Sequence, residues 1–112
     1  MKKHNVIYLP KVLRYLEHLV NILYDHGYFG FRDNAKKYVK ELFDDITENL
    51  PTHLKKPAPK HFDKYGKNML YAIFRKNRQT AWYVFFTKYM ENGEAFYLVR
   101  YIANNHVISQ YL

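Results

Sequence analysis

Cysteine is absent from this chain, which excludes disulfide frameworks and thiolate metal sites together. With no thiol and no Gly-x-Ser-x-Gly, the familiar acyl-transfer nucleophiles are missing too. Glycine is scarce, four residues in all, and none belongs to a phosphate-cradling loop, so nucleoside triphosphate chemistry has no support. The histidines fall at positions 4, 18, 26, 53, 61 and 106 without short ligand spacing, so no metal and no cofactor is expected. No apolar run approaches the ~20 residues of a membrane span. The first, Val6-Ile7-Tyr8-Leu9, stops at Pro10 and is too short to make a signal peptide of the basic start Met1-Lys2-Lys3-His4. The expectation is a soluble cytoplasmic protein with no membrane partner.

Acidic residues are the next shortage, and they are unevenly placed. Residues 1–50 carry eight cations and seven anions, whereas residues 51–112 carry ten cations and three anions. Paired-carboxylate hydrolysis would have only Asp63, Glu91 and Glu94 to draw on there. Between Lys55 and Arg78 stand eight cations and one anion, Asp63. A one-sided field of this kind concentrates polyanions. What is abundant is apolar and aromatic: 48% of the 112 residues are hydrophobic, and 12 are tyrosine. That suffices for one compact domain, residues 1–112, and not for two.

The order of elements follows from periodicity and breakers. Asn5–Leu9 is β-prone. Pro10 suits the first turn of a helix, and Leu13, Leu16, Val20 and Leu23 recur at helical spacing to form one apolar stripe. Gly27 stops that helix. Asp33 or Asn34 caps a second, whose face is Ala35, Tyr38, Val39, Leu42, Ile46 and Leu50, ended by Pro51. Residues 51–68, PTHLKKPAPKHFDKYGKN, hold three prolines and five lysines and read as an irregular basic connection, long enough to be functional. Met69–Arg75, Thr80–Tyr89 and Ala95–Asn104 read as strands of a meander, with Asn92-Gly93 as a hairpin turn. The fold class expected is α+β, in the order β-α-α-β-β-β. The helix hairpin packs on one face of a small antiparallel sheet.

Cations, hydroxyl-bearing aromatics and histidine remain as the chemical inventory. This set suits RNA cleavage without a metal, because the RNA supplies its own 2′-hydroxyl nucleophile. The protein then needs an acid, a base and fixed charge around the developing phosphorane. Arginine matches phosphate as a planar fork, histidine titrates near neutrality, and exposed tyrosines stack splayed bases. The stretch LVRYIANNH at 98–106 holds such groups. As a strand it puts Leu98, Arg100 and Ile102 on one face and Val99, Tyr101 and Ala103 on the other. Both faces are partly apolar, so alternation leaves open which one the helices cover. If they cover the Val99/Tyr101 face, Arg100 points to the open side, with His106 just past the strand and Arg75 approaching from a neighbouring position. The candidate catalytic set is Arg75, Arg100 and His106. Lys64, Lys67, Lys76, Arg78 and Tyr101 are candidate RNA contacts, and the Asn104-Asn105 pair can instead simply close a turn.

The helix hairpin, the basic loop, LYAIFRKNRQTAWYVFF and then YLVRYIANNH together resemble the RelE/ParE superfamily of bacterial toxins over nearly the whole chain. The resemblance implies a type II toxin–antitoxin toxin held by an acidic antitoxin, with growth inhibition when it is free. RelE-like members imply ribosome-dependent mRNA endonuclease activity; ParE-like members imply DNA gyrase inhibition without nuclease chemistry. A non-catalytic nucleic-acid-binding module of the same fold is the third reading. By position, Arg75 matches the arginine of the early meander, Arg100 the last-strand arginine and His106 the terminal histidine. Lys64 and Lys67 stand where some members carry lysines before the meander. The arginine-to-histidine gap is longer than the family's, and the first meander strand lacks a glutamate base.

Overall fold

A computed structural model describes residues 5–112, with the side chains of Ile108 and Ser109 left aside. The basic start Met1–His4 lies outside the described residues. The chain runs β1 (Val6–Tyr8), α1 (Pro10–Asp25), α2 (Arg32–Asn49), β2 (Lys56–Pro57), β3 (Leu70–Arg75), β4 (Ala81–Glu91), β5 (Glu94–Asn104) and a short α3 (Asn105–Ile108). Short 3-10 turns occupy Leu50–Thr52, Lys60–Lys64 and Ser109–Tyr111. The class is α+β. The sheet has the order β1-β5-β4-β3-β2 and is mixed rather than antiparallel, because β1 runs parallel to β5. That departure arises because α1 and α2 carry the chain over one face before it re-enters at the far edge, leaving β1 to pair with the last strand.

Local chemistry accounts for most boundaries. Pro10 opens α1, where its missing N–H costs nothing. Gly27, at φ +76°, ends the helix as a left-handed cap. The Tyr28 N–H donates to the Leu23 carbonyl at 3.0 Å, and the Gly27 N–H to Tyr24 at 3.1 Å, a Schellman arrangement. Asn92 and Gly93, at φ 51° and 80°, make the two-residue turn between β4 and β5. α2 starts at Arg32 with Phe31 as its N-cap, so the candidate caps Asp33 and Asn34 lie inside its first turn, and no side chain caps it.

Two apolar layers sandwich the sheet. On one face, Val12, Leu16 and Leu19 of α1 and Val39, Leu42 and Ile46 of α2 pack on Phe74, Trp82, Val84, Phe86, Val99 and Ile102. The buried stripe of α1 is thus Val12–Leu16–Leu19, and Leu13 is exposed, because the sheet lies one residue around the helix from where spacing alone puts it. The opposite face is not open. Phe62, from the basic connection, stacks on Phe85 at 4.3 Å and is 1% exposed, with Met69, Tyr65, Tyr71 and Tyr101 around it. The connection is therefore half structural: β2 pairs Lys56 and Pro57 with Tyr71 and Leu70, and the turn after it plugs the second face.

Strand β5 contains the decisive irregularity. Phe85 pairs with Tyr101, but Phe86 pairs with Val99, so Arg100 is an extra residue in a β-bulge. Val99 and Ile102 both reach the helix side, while Tyr101 and Ala103 reach the Phe62 side. The expected alternation breaks at Arg100.

Burial of Phe62 at this level predicts that Phe62→Ala destabilises the protein by about 3–5 kcal/mol, the cost of emptying a true core site. Urea unfolding measures it; a loss below about 1 kcal/mol would mean the loop rests on the sheet without forming a core.

Candidate phosphate site and base cleft

The bulge decides where Arg100 goes. Its Nε donates to Thr87 Oγ1 at 2.8 Å, and an η nitrogen lies 3.5 Å from the Tyr65 carbonyl oxygen. The stem passes directly beneath Gly66, where an added Cβ would stand 2.7 Å from Arg100 Cδ. Arg100 is partly buried, yet its partners are neutral. Among the described residues the one ion pair is Lys40–Asp44, on the outside of α2. A partly desolvated guanidinium without a carboxylate is unusual, since charge taken from water is normally paired.

More cations and phenols gather beside it. The rings of Tyr65 and Tyr101 stack 3.9 Å apart and nearly parallel. Lys11 Nζ lies 5.7 Å and Lys64 Nζ 5.4 Å from the centre of the Tyr65 ring. A cavity of about 150 Å³ opens here between the start of α1 and the edge of β5, lined by Lys11, Tyr15, Tyr65, Arg100 and Tyr101. Burial, then the adjoining Tyr65 hydroxyl and Tyr15, push the Tyr101 phenol well above its ordinary value; burial alone raises Tyr15. These phenols stay protonated and serve as donors.

A second, larger cleft of about 600 Å³ continues along α1 toward its C-terminal end. Tyr15 lines both. Trp82 and Tyr38 form part of its wall, joined by a bond from the indole Nε1 to the Tyr38 hydroxyl at 2.9 Å. His26, Tyr28, Asn77 and His106 are at its rim. The Asn-Asn pair before His106 has structural work. Asn104 accepts from the Val107 N–H at 3.1 Å, and Asn105 bridges the Ala81 N–H and the Gln79 carbonyl.

The sequence candidates therefore divide. Arg100, Tyr101 and Lys64 come together at the smaller cavity. His106 and Lys76 belong with the larger cleft, Lys76 through its contact with the Tyr38 ring, 5.1 Å from its centre. Arg75, Arg78 and Lys67 are exposed and line neither. Convergence of Arg75, Arg100 and His106 on one open surface is not what the fold produces. Arg75 pairs with Ala81, and Arg100 lies opposite the Phe85–Phe86 step. Their backbones are about 15 Å apart along the strands and about 10 Å across them. His106 sits on the helix side of the sheet, which the bulge and the start of α3 impose. Lys11, Tyr15 and Tyr65 were missed in the sequence. The i, i+4 pair Lys11/Tyr15 on the helix that follows β1 was the available signal.

No known protein-family model matches the chain, no curated protein matches its sequence, and no solved structure matches it. Among the described residues no cluster of three or more metal-ligating side chains occurs, and no helix is long and apolar enough to cross a membrane.

The raised phenols set a pH dependence. Tyr8 is pushed up to about 12 by burial, against the lowering effect of its bond with Thr47, and Tyr101 is raised as well. An unfolded chain releases these protons near 10, before the folded one does. Stability is thus complete below about pH 10 and falls as pH climbs from there toward 12. Denaturant unfolding at stepped alkaline pH should show that loss, and Tyr8→Phe and Tyr101→Phe should each flatten it; an unchanged slope in both would contradict the burial.

Proposed function

We propose that this protein is a RelE/ParE-like toxin whose target is mRNA on the ribosome, gripped by its phosphates at Arg100. The observation that carries this reading is the partly buried Arg100 with neutral partners only, flanked by Lys11 and Lys64. That arrangement is one negative charge short of neutrality at its centre and wants an anion. A planar guanidinium beside two ammonium groups suits a phosphodiester. Beside it the raised Tyr101 phenol adds a donor, and a strand, a helix hairpin and then the β3–β4–β5 meander support the likeness to the toxin superfamily, in which an acidic antitoxin would cover such a surface.

Cleavage in this reading is internal attack by the RNA 2′-hydroxyl oxygen on the adjacent phosphorus. The bond to the 5′-oxygen breaks, leaving a 2′,3′-cyclic phosphate and a 5′-hydroxyl. Arg100, Lys11 and Lys64 hold the charge that develops on the phosphorane; the 2′-hydroxyl proton passes to solvent water, and the Tyr101 hydroxyl protonates the departing oxygen and regains its proton from water. Arg75 and His106 take no part in this step, being on other surfaces. DNA gyrase inhibition, the ParE-like alternative, would need no cation without a counter-ion.

Binding of a short single-stranded RNA should weaken steeply with salt. The exposed pair Lys11→Gln and Lys64→Gln should lower the magnitude of the log–log salt slope by about 0.7 for each cation removed. Affinity that is flat across salt, or a slope unmoved in the double variant, removes the phosphate grip. Induced expression separates the toxin classes: rapid translation arrest with mRNA cleavage, reduced in Arg100→Gln, agrees with the reading. Filamentation with a DNA-damage response, equal in the variant, points to gyrase instead.

A further inference from the structure

The larger cleft is not needed for the phosphate grip, and its chemistry differs. Its volume of about 600 Å³ falls within the ~300–1,000 Å³ range of small-ligand sites. Its lining includes Tyr28 and Phe29, from the connection between α1 and α2. Aromatic surface comes from Tyr28, Phe29 and Tyr38 over the buried Trp82, and Asn77, Asn104 and His106 add polar groups to the lining. Asn77 and Asn104 use their carbonyl oxygens internally; among the described residues their amide N–H groups have no partner. His106 is exposed and likewise has no bonded partner among the described residues. Tyr38 accepts from the Trp82 indole, so its own proton is free to donate. Lys76 stands beside the Tyr38 ring, so a cation borders an otherwise aromatic recess. Flat walls, a few amide and imidazole groups for a ring edge, and a cation for an attached phosphate are the requirements of a nucleotide base removed from its stack.

We propose that this cleft seats one unstacked nucleobase of the bound RNA, held against Tyr28 and the Tyr38–Trp82 wall and read at its edge by Asn77, Asn104 and His106. The two cavities meet at Tyr15. From Arg100 to Asn104, β5 has no strand on its outer side, since β1 pairs only with Tyr97, Leu98 and Val99. That free stretch spans about 13 Å at ~3.3 Å per residue, enough for a strand to pass from a phosphate at Arg100 to a base in the cleft. The proposal rests on the RNA reading above for its ligand class.

Trp82 is the chain's single tryptophan, so its fluorescence reports the cleft directly. Adenosine 5′-monophosphate should quench it saturably, whereas ribose 5-phosphate and inorganic phosphate should not. Tyr28→Ala and His106→Ala, both at exposed positions, should weaken the nucleotide by about tenfold. Phe31→Ala, an equally exposed aromatic that does not line the cleft, should bind as the parent does. No saturable quench, the same quench from phosphate alone, or parental affinity in both cleft variants overturns the proposal. If single-stranded RNA then still binds with its Lys11/Lys64-dependent salt slope, the base site falls alone. If that slope is lost as well, the RNA reading falls with it.

Discussion

Arg100 is one residue too many for the ladder between β4 and β5, and the architecture follows from how that surplus is accommodated. Without the bulge, strict alternation from Val99 would carry Tyr101 under the helices and lift Ile102 out. With it, Val99 and Ile102 both contribute to the helix-side core, and Tyr101 turns to meet Phe85 and Tyr65. The backbone cost of the irregularity is met by contacts on both sides. Arg100 finds Thr87, and its stem fills the space under Gly66, where any larger residue would collide with it. A bulge next to a candidate site is a recurrent way to re-aim a side chain. Here it turns what would be an alternating strand position into a cation directed at a cavity.

The second apolar layer depends on the same event. Tyr101 reaches Phe62 and Tyr65 only because the bulge has turned it. Phe62 in turn anchors the basic connection, so a segment rich in proline and lysine becomes a fixed lid on the sheet. That fixes Lys64 near Tyr65 and presents the backbone carbonyl of Tyr65 to Arg100. Positive charge is thereby held in place by apolar packing rather than by ion pairing. This is how cations can remain close together when acidic residues are concentrated on the helices.

Signals confined to a few residues were legible in the sequence. Pro10, Gly27 and Asn92-Gly93 mark boundaries through backbone restrictions that no tertiary contact overrides. The strands from β3 to β5 fall within a residue or two of their expected limits, and the face of α2 is as its spacing indicates. Other features depend on three-dimensional neighbours. An inserted strand residue leaves no trace in an apolar–polar pattern when both faces are buried, so Arg100 could not be assigned a side. Phe62 sits among prolines and lysines, and only its partner Phe85 reveals it as core. Arg100, Tyr101 and Lys64 were visible as chemistry; their separation from Arg75 and His106 was not, because residues close in sequence or type were split by the sheet.

The seam between α1 and β5 exists because β1 is only three residues long. A longer first strand would have continued past Val99, satisfied the outer edge of β5 and closed both cavities. Instead Pro10 ends the strand and starts the helix, so α1 turns onto the face of the sheet and the outer edge of β5 beyond Val99 is left without a strand. Helix side chains reach farther from their backbone than a paired strand would stand, and the mismatch leaves space. Lys11 and Tyr15 line one end of that space, and Leu19 and Leu23 the other. The seam is consequently cationic where it meets Arg100 and aromatic where it meets Trp82. A free phosphate would use only the first end, and a neutral aromatic only the second. An extended chain that alternates charged linkages with flat rings uses both, and single-stranded nucleic acid has that composition.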